Sequence, residues 1–388
     1  MSIKAIVIGG GYAGALAANH LRMRADVDVT LVNPRPEFVE RVRLHQLAAG
    51  TGRATADYGT LLAESVRLVV DSAAAIDAGA RTVSLTSGGT LDYDYLVYAV
   101  GSTGTIPPSV PGAAEFAYGI AELEPALLLG ARLEELPEDA PIVVVGGGLT
   151  GIETAAELAE RGRAVTLVCG RTLAPSFSGS GRRAVARWLS RHGVAVIEDA
   201  MVSEVGPDEV VLADGVVRES ALTIWTGGFG VPGLAAASGL RTDELGRLLT
   251  DETLTSVDDD RIVAAGDAAA PSGQPLRMSC YAAGPLGAQA ANTVLSRIAG
   301  TEPAPINLAF SGACVSLGRR TAVRQVARKD DTAVNVYVGG RAGAAIKEFT
   351  CRFAVTRIRR EATRPGSAMW LKGSPRAGLP VGRRAPSS

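Results

Sequence analysis

Two stretches of the chain share one chemical device. Residues 3–14, IKAIVIGGGYAG, and residues 141–153, PIVVVGGGLTGIE, each carry a β-branched run into Gly-x-Gly-x-x-Gly. The glycines are Gly9, Gly11 and Gly14 in the first copy and Gly146, Gly148 and Gly151 in the second; Tyr12, Ala13, Leu149 and Thr150 open the segments that follow. A buried parallel strand needs such an apolar run. The first glycine permits a tight turn, the second lets the backbone approach a pyrophosphate, and the third lets the helix pack on the strand. The free N–H groups and positive dipole end of that helix then hold the phosphates. One such match is weak evidence, because Gly-rich turns also serve packing. Two at matching places, each followed by a second strand, point to two dinucleotides in one protein.

The second strands end at different residues. VTLVNPR ends at Asn33 and VTLVCGR at Cys169, where an acid for an adenosine ribose is usual. The Asn33 amide can bond a hydroxyl or shape the turn before Pro34, and both readings stand. The second copy has no acid, and Arg171 lies two residues on, where it can meet a 2′-phosphate or serve as a solvated loop residue. NADPH is therefore expected to be tolerated. Glu153, just past Gly151, suits the positive end of a helix dipole. Arg41, Arg43 and His45 crowd together in residues 38–49, and Gly266-Asp267 closes an apolar strand at residues 261–270.

Several chemistries are excluded. With 39 basic and 40 acidic residues, a net charge of −1 gives no electrostatic case for nucleic acid. The four cysteines, Cys169, Cys280, Cys314 and Cys351, never form C-x-x-C, which argues against a structural metal, an iron–sulfur cluster or dithiol exchange. No apolar run reaches the roughly 18 residues that span a bilayer, and the N-terminus reads as a strand instead of a signal peptide. A soluble cytoplasmic protein is expected.

The elements that must position these residues follow from the pattern. Strands are predicted at 3–8, 27–32 and 164–168, with a helix at 13–24 and another at 121–136. Residues 61–76 and 82–85 read as a helix, a strand and a hairpin. From residue 303 the pattern changes to an antiparallel sheet with strands at 308–316, 322–327 and 333–338, followed by a helix at 339–353. The tail after residue 364 has no acid and is rich in Gly, Pro and Ser. Its basic residues could touch anionic lipid, although it lacks the apolar period of an anchor helix and reads better as a disordered tail.

The first fingerprint, the segment ERVRLHQ, LDYDYLVYAVGS and RIVAAGDAAA together resemble flavoprotein NAD(P)H oxidoreductases of the pyridine nucleotide-disulfide superfamily. The type II NADH dehydrogenases and apoptosis-inducing-factor-like quinone reductases are the nearest branch. The resemblance implies an α/β fold of two Rossmann-like dinucleotide-binding domains plus a C-terminal α+β domain. The FAD domain, residues 1–112 and 261–300, would be interrupted by an NAD(P)H domain at 113–260. The C-terminal domain at 301–363, used in the family for dimer or membrane contacts, would precede the tail at 364–388. FAD contacts would fall on the first glycines, Asn33, Arg43, Ala73, Ala99, Gly101, Gly266, Asp267 and the helix start at Cys280, Tyr281 and Ala282. Gly227 and Gly228 would leave room for the nicotinamide. Glu153, His45 and Lys347 would lie at the flavin, where hydride arrives from NAD(P)H. In related disulfide reductases the early helix carries a redox cysteine pair; residues 38–49 have none. A quinone meeting the flavin directly is the implied acceptor, with a small iron–sulfur protein or a redox-sensing role as alternatives.

Overall fold

The structure is a computed structural model that describes residues 2–373 and residue 376. In chain order, the first half supplies β1 (Ile3–Ile8), α1 (Tyr12–Leu21), β2 (Val27–Asn33), α2 (Leu44–Ala48), β3 (Val66–Val70) and β4 (Tyr95–Tyr98). Next come β5 (Ala117–Gly119), α3 (Leu123–Glu135), β6 (Ile142–Val145), α4 (Leu149–Glu160), β7 (Val165–Val168), α5 (Gly179–Arg191), β8 (Ala195–Ile197) and β9 (Leu222–Trp225). The chain closes with β10 (Ile262–Ala264), α6 (Cys280–Ile298), β11 (Gly312–Leu317), β12 (Thr321–Ala327), β13 (Ala333–Val338) and α7 (Gly340–Thr363).

Two five-stranded parallel sheets result. The first runs β10-β4-β1-β2-β3 and the second β5-β9-β6-β7-β8. Because β10 joins the first sheet only after the second is complete, the second sheet is an insertion. The central strands β1 and β6 are buried along their apolar runs, as a parallel sheet covered on both faces requires. Every residue of α1 is buried, because this helix lies between the sheet, α6 and α7. The approach of α6 is backbone to backbone: a Cβ on Gly287 would collide with the Ala13 carbonyl. The last sheet, β11-β12-β13, is antiparallel.

The structure corrects four expectations. No helix forms within residues 61–76; the β-branched run VRLVV is strand β3, and Ala73–Asp77 pairs with Thr82–Leu85. The segment 38–49 is only partly helical, a strand at Glu37–Val39 and a 3-10 turn at Arg41–Arg43 preceding the short α2. The C-terminal helix continues ten residues past 353, because Val355, Ile358 and Glu361 are buried against the body of the molecule. Residues 364–373 are held in place: Trp370 Nε1–H donates to the Asn307 carbonyl at 2.8 Å, and Ala309 N–H donates to the Leu371 carbonyl at 2.9 Å. An indole with a bonded N–H and apolar contacts outweighs the tail's polar composition. Arg376 pairs with Glu252 at 3.7 Å, and the remainder of the tail lies outside the described residues. Among the described residues no helix is long and apolar enough to cross a membrane.

The last helix is locked to the first by buried polar groups. His20 Nδ1 lies 2.6 Å from Glu361 Oε1, and His20 Nε2 lies 3.0 Å from Asn292 Oδ1. Ser367 Oγ–H also donates to Glu361. Replacing Glu361 with Ala strips His20 and the Ser367 hydroxyl of their acceptor in a dry site. A loss of about 1–3 kcal/mol, the cost of a buried polar group left without its partner, is expected in urea unfolding.

Candidate functional site

The two Gly-rich turns repeat one geometry. In the first, a Cβ on Gly9 would collide with the Ala99 carbonyl, and one on Gly14 with the Gly9 carbonyl. In the second, a Cβ on Gly146 would collide with Thr226 Oγ1, and one on Gly151 with the Gly146 carbonyl. Gly9 and Gly146 also take φ of +97° and +125°, where an L side chain is strained. The middle glycines differ, since a Cβ on Gly11 or Gly148 would meet nothing within 4 Å. Outer glycines thus serve the fold, while each middle glycine borders open space in front of a helix N-terminus. That is the cradle a pyrophosphate needs. The Tyr12 hydroxyl beside the first cradle is buried with no hydrogen-bond partner.

Around the first cradle the expected residues fall on one sheet edge. Asn33 Oδ1 accepts Gly10 N–H at 2.9 Å, and its Nδ2–H donates to the Arg35 carbonyl at 2.8 Å; the amide shapes the loop. Val70 is the register partner of Asn33, so Ala73 follows at the same edge. Gly101 is open on its Cβ side. Gly266, packed at Ala13, delivers Asp267, whose Oδ2 accepts Ser102 Oγ–H at 2.8 Å and Oδ1 accepts Ser279 N–H at 3.2 Å. Ser279 caps α6 through Ala282 N–H at 3.3 Å, so Asp267 sets the height of that helix end, where Cys280 and Tyr281 begin. The sequence had marked Arg41 only as part of a basic cluster. It joins this network by donating to the Ser102 and Ala121 carbonyls at 2.7 and 2.8 Å. Arg43, expected at the cofactor, gives its guanidinium to Glu40 and Glu348, at 3.1 and 3.0 Å.

At the second cradle, Cys169 is buried and burial pushes its thiol up to about 12, so it is uncharged. Arg171 is exposed beyond it, while Glu198, at the end of the neighbouring strand, accepts Leu173 N–H at 2.6 Å. Gly228 takes φ of +84°, and Trp225 Nε1–H donates to the Gly227 carbonyl at 2.9 Å.

Glu153, His45 and Lys347 meet in one buried cluster. Lys347 Nζ lies 2.7 Å from Glu153 Oε1, which also accepts Ser316 N–H at 2.9 Å. His45 Nδ1 stands 3.8 Å from Glu153 Oε2, and its Nε2 lies 3.4 Å from Ser316 Oγ. These residues come from α2, α4, β11 and α7. Burial opposes ionisation of Glu153, but Lys347, then His45, and the Ser316 N–H hold its carboxyl below the usual range. Burial likewise opposes the Lys347 charge, and Glu153 more than restores it. For His45, burial dominates and is reinforced by Lys347, Arg319 and Arg43, so its pKa falls to about 4 despite Glu153. At neutral pH the cluster is an ion pair with a neutral imidazole beside it.

The family model for pyridine nucleotide-disulphide oxidoreductases matches residues 3–290. The chain belongs to that family. It is 32% identical over 323 residues to an NADH dehydrogenase-like protein of Mycobacterium tuberculosis, covering 76% of this chain and 80% of the relative. A type II NADH:quinone oxidoreductase of the same organism is 29% identical over 374 residues, covering 83% and 79%. Among solved structures, the sulfide:quinone oxidoreductase of Aquifex aeolicus superposes with a TM-score of 0.80 at 21% identity, covering 94% of this chain and 93% of that one. The chain is therefore an NAD(P)H-dependent flavoprotein oxidoreductase whose cofactors are FAD and NAD(P)H.

Within this family member, Ser316 was invisible to sequence reading: it sits in an ordinary apolar strand, and only the fold brings it to Glu153. Two outcomes follow from the geometry. Gly148→Ala should fold normally, because its φ of −76° suits alanine and its Cβ has room. It should raise the KM for NAD(P)H without loss of flavin colour. His45 should also shape the acid limb of stability. Its folded pKa lies below the ordinary 6.5, so the unfolded chain gains a proton first as pH falls. Stability should decline between about pH 6.5 and 4, by about 3 kcal/mol in the limit. Urea unfolding of His45→Gln across that window should show a flatter profile.

Proposed function

We propose that the chain passes two electrons from NAD(P)H to a quinone-type acceptor, with FAD at the first cradle and NAD(P)H at the second. Bound FAD supplies the two-electron carrier; the protein's own residues supply position and charge. Gly9, Gly11 and Gly14 with the α1 N-terminus take the flavin dinucleotide's phosphates. Asp267, bonded to Ser102 and Ser279, faces its sugar-like chain, and the start of α6 offers N–H groups and a positive dipole to the ring. Gly146, Gly148 and Gly151 take the nicotinamide dinucleotide, and Gly227 and Gly228 leave space for its reactive end.

The observation that carries this reading is the Glu153–Lys347–His45 cluster beside the second cradle, in a chain with no C-x-x-C pair to relay electrons. Cys280, Cys314 and Cys351 stand in three different elements, Cys169 lies just past β7, and all four are unbonded. Burial pushes the Cys280 thiol up to about 12, so this sulfur is a packing group and not a nucleophile. The acceptor must then meet the flavin itself; a quinone fits, the acceptor that the name of the type II NADH:quinone oxidoreductase relative gives for that enzyme. Glu153 and Lys347 keep a fixed dipole in a dry site, where it acts strongly. His45 Nε2, through Ser316 Oγ, can hold or release a proton.

A second reading has one specific support. Arg53, Arg319, Arg352 and Arg359 surround a cleft of about 410 Å³ that also contains Arg43, Glu40 and Glu348. This basic rim would suit a small acidic iron–sulfur protein.

The test is anaerobic mixing of the FAD-loaded protein with NADH or NADPH, then with a soluble quinone. Bleaching followed by quinone-driven recovery is the expected result. Recovery only with an iron–sulfur protein would favour the second reading, and no bleaching would overturn both. Arg171→Ala should lower the NADPH-to-NADH ratio of kcat/KM by about tenfold or more, the worth of one charge-assisted contact.

A further inference from the structure

The helix that carries Glu153 carries two more glutamates along one face. Glu157 follows by four residues and Glu160 by seven, so successive carboxyls lie about one turn apart on α4. Their settings differ. Glu153 is buried and paired. Glu160 is exposed and accepts Arg319 N–H at 2.6 Å. Glu157, between them, is 1% exposed. Its Oε1 accepts the Thr51 hydroxyl, while its Oε2 is buried with no hydrogen-bond partner. An ionised oxygen stripped of both water and donors is costly; a neutral acid avoids most of that cost. The groups facing Glu157 are Thr51 from the segment after α2, Arg319 from the β11–β12 turn, and Glu153 and Glu160 from its own helix. Burial pushes the carboxyl up, Thr51 and Arg319 oppose, and Glu160 and Glu153 reinforce the rise.

We infer that Glu157 is a proton relay: it holds a proton on Oε2 at neutral pH and connects the Glu160–Arg319 surface to the buried Glu153–His45 cluster. This rests on the proposed quinone chemistry. The net reaction, NAD(P)H + H⁺ + quinone → NAD(P)⁺ + quinol, draws one proton from solvent to a site flanked by the buried Glu153 and His45. Glu157 releases the Oε2 proton toward the Glu153 carboxylate one turn above, which passes it on. Glu157 is then reprotonated from solvent through Glu160. Only O–H bonds form and break in the relay, and both electrons come from NAD(P)H.

Glu157→Gln keeps the volume and the Thr51 contact but cannot release a proton. Infrared difference spectra of the holoprotein at neutral pH should contain the C=O stretch of a protonated carboxylic acid that this variant lacks. Quinone turnover should fall at least about tenfold relative to turnover with ferricyanide, which takes electrons without protons. Glu157→Asp, which retains a titratable group, should recover part of the quinone turnover and its solvent isotope effect. A missing acid band, an equal loss with both acceptors, or unchanged quinone turnover in Glu157→Gln would each overturn the relay. A wild-type protein that shows the acid band but reduces no quinone would instead overturn the functional reading.

Discussion

Taking a carboxylate and an ammonium out of water costs several kcal/mol per ion, and their attraction repays this only when the geometry is good and the remaining lone pairs are satisfied. Glu153 and Lys347 meet that condition because the Ser316 N–H completes the carboxylate and His45 remains neutral alongside. The arrangement needs the first turn of α4, strand β11, helix α2 and helix α7 at once. The inserted unit, the early segment after β2 and the C-terminal region are thereby tied to one point. Loss of the inserted unit or of the C-terminal region would leave a buried charge without its partner.

That dependence explains why the C-terminal helix is so firmly attached. α7 delivers Lys347 near its start, and 14 residues later Glu361 pairs with His20 of α1. Arg43 and Glu348 add a partly buried pair between these contacts. The strap that follows, fixed by Trp370, covers the same joint. A helix whose polar residues point inward at defined heights has little freedom to slide, so the position of Lys347 is set by groups far from it.

The two cradles repeat one backbone solution. Outer glycines are demanded by the fold, because carbonyls or a threonine hydroxyl stand where a Cβ would be; middle glycines are demanded only by what approaches from outside. The copies diverge at the end of the second strand. Asn33 turns inward to the loop, whereas Cys169 is neutral and leaves Arg171 and Glu198 as the charged groups nearby.

The sequence by itself determined the strands and Gly-rich turns of both fingerprints, the absence of C-x-x-C and the antiparallel sheet near the end. Each is written in a local signal: an apolar run, a glycine spacing, a cysteine count, a change of period. Glu153 was legible because it follows a complete fingerprint, and His45 and Lys347 because of family resemblance. Only the tertiary structure decided that these three touch, that Ser316 joins them and Arg43 does not, and that Glu157 is sealed with one oxygen unpartnered. Local pattern also misled where long-range pairing prevailed, as in the strand VRLVV beside β2 and in the docking of Trp370. The physical reason is common to all of these. Burial, and with it the cost of a charge or an unbonded oxygen, is a property of what other segments place around a residue, and the local sequence does not contain those segments.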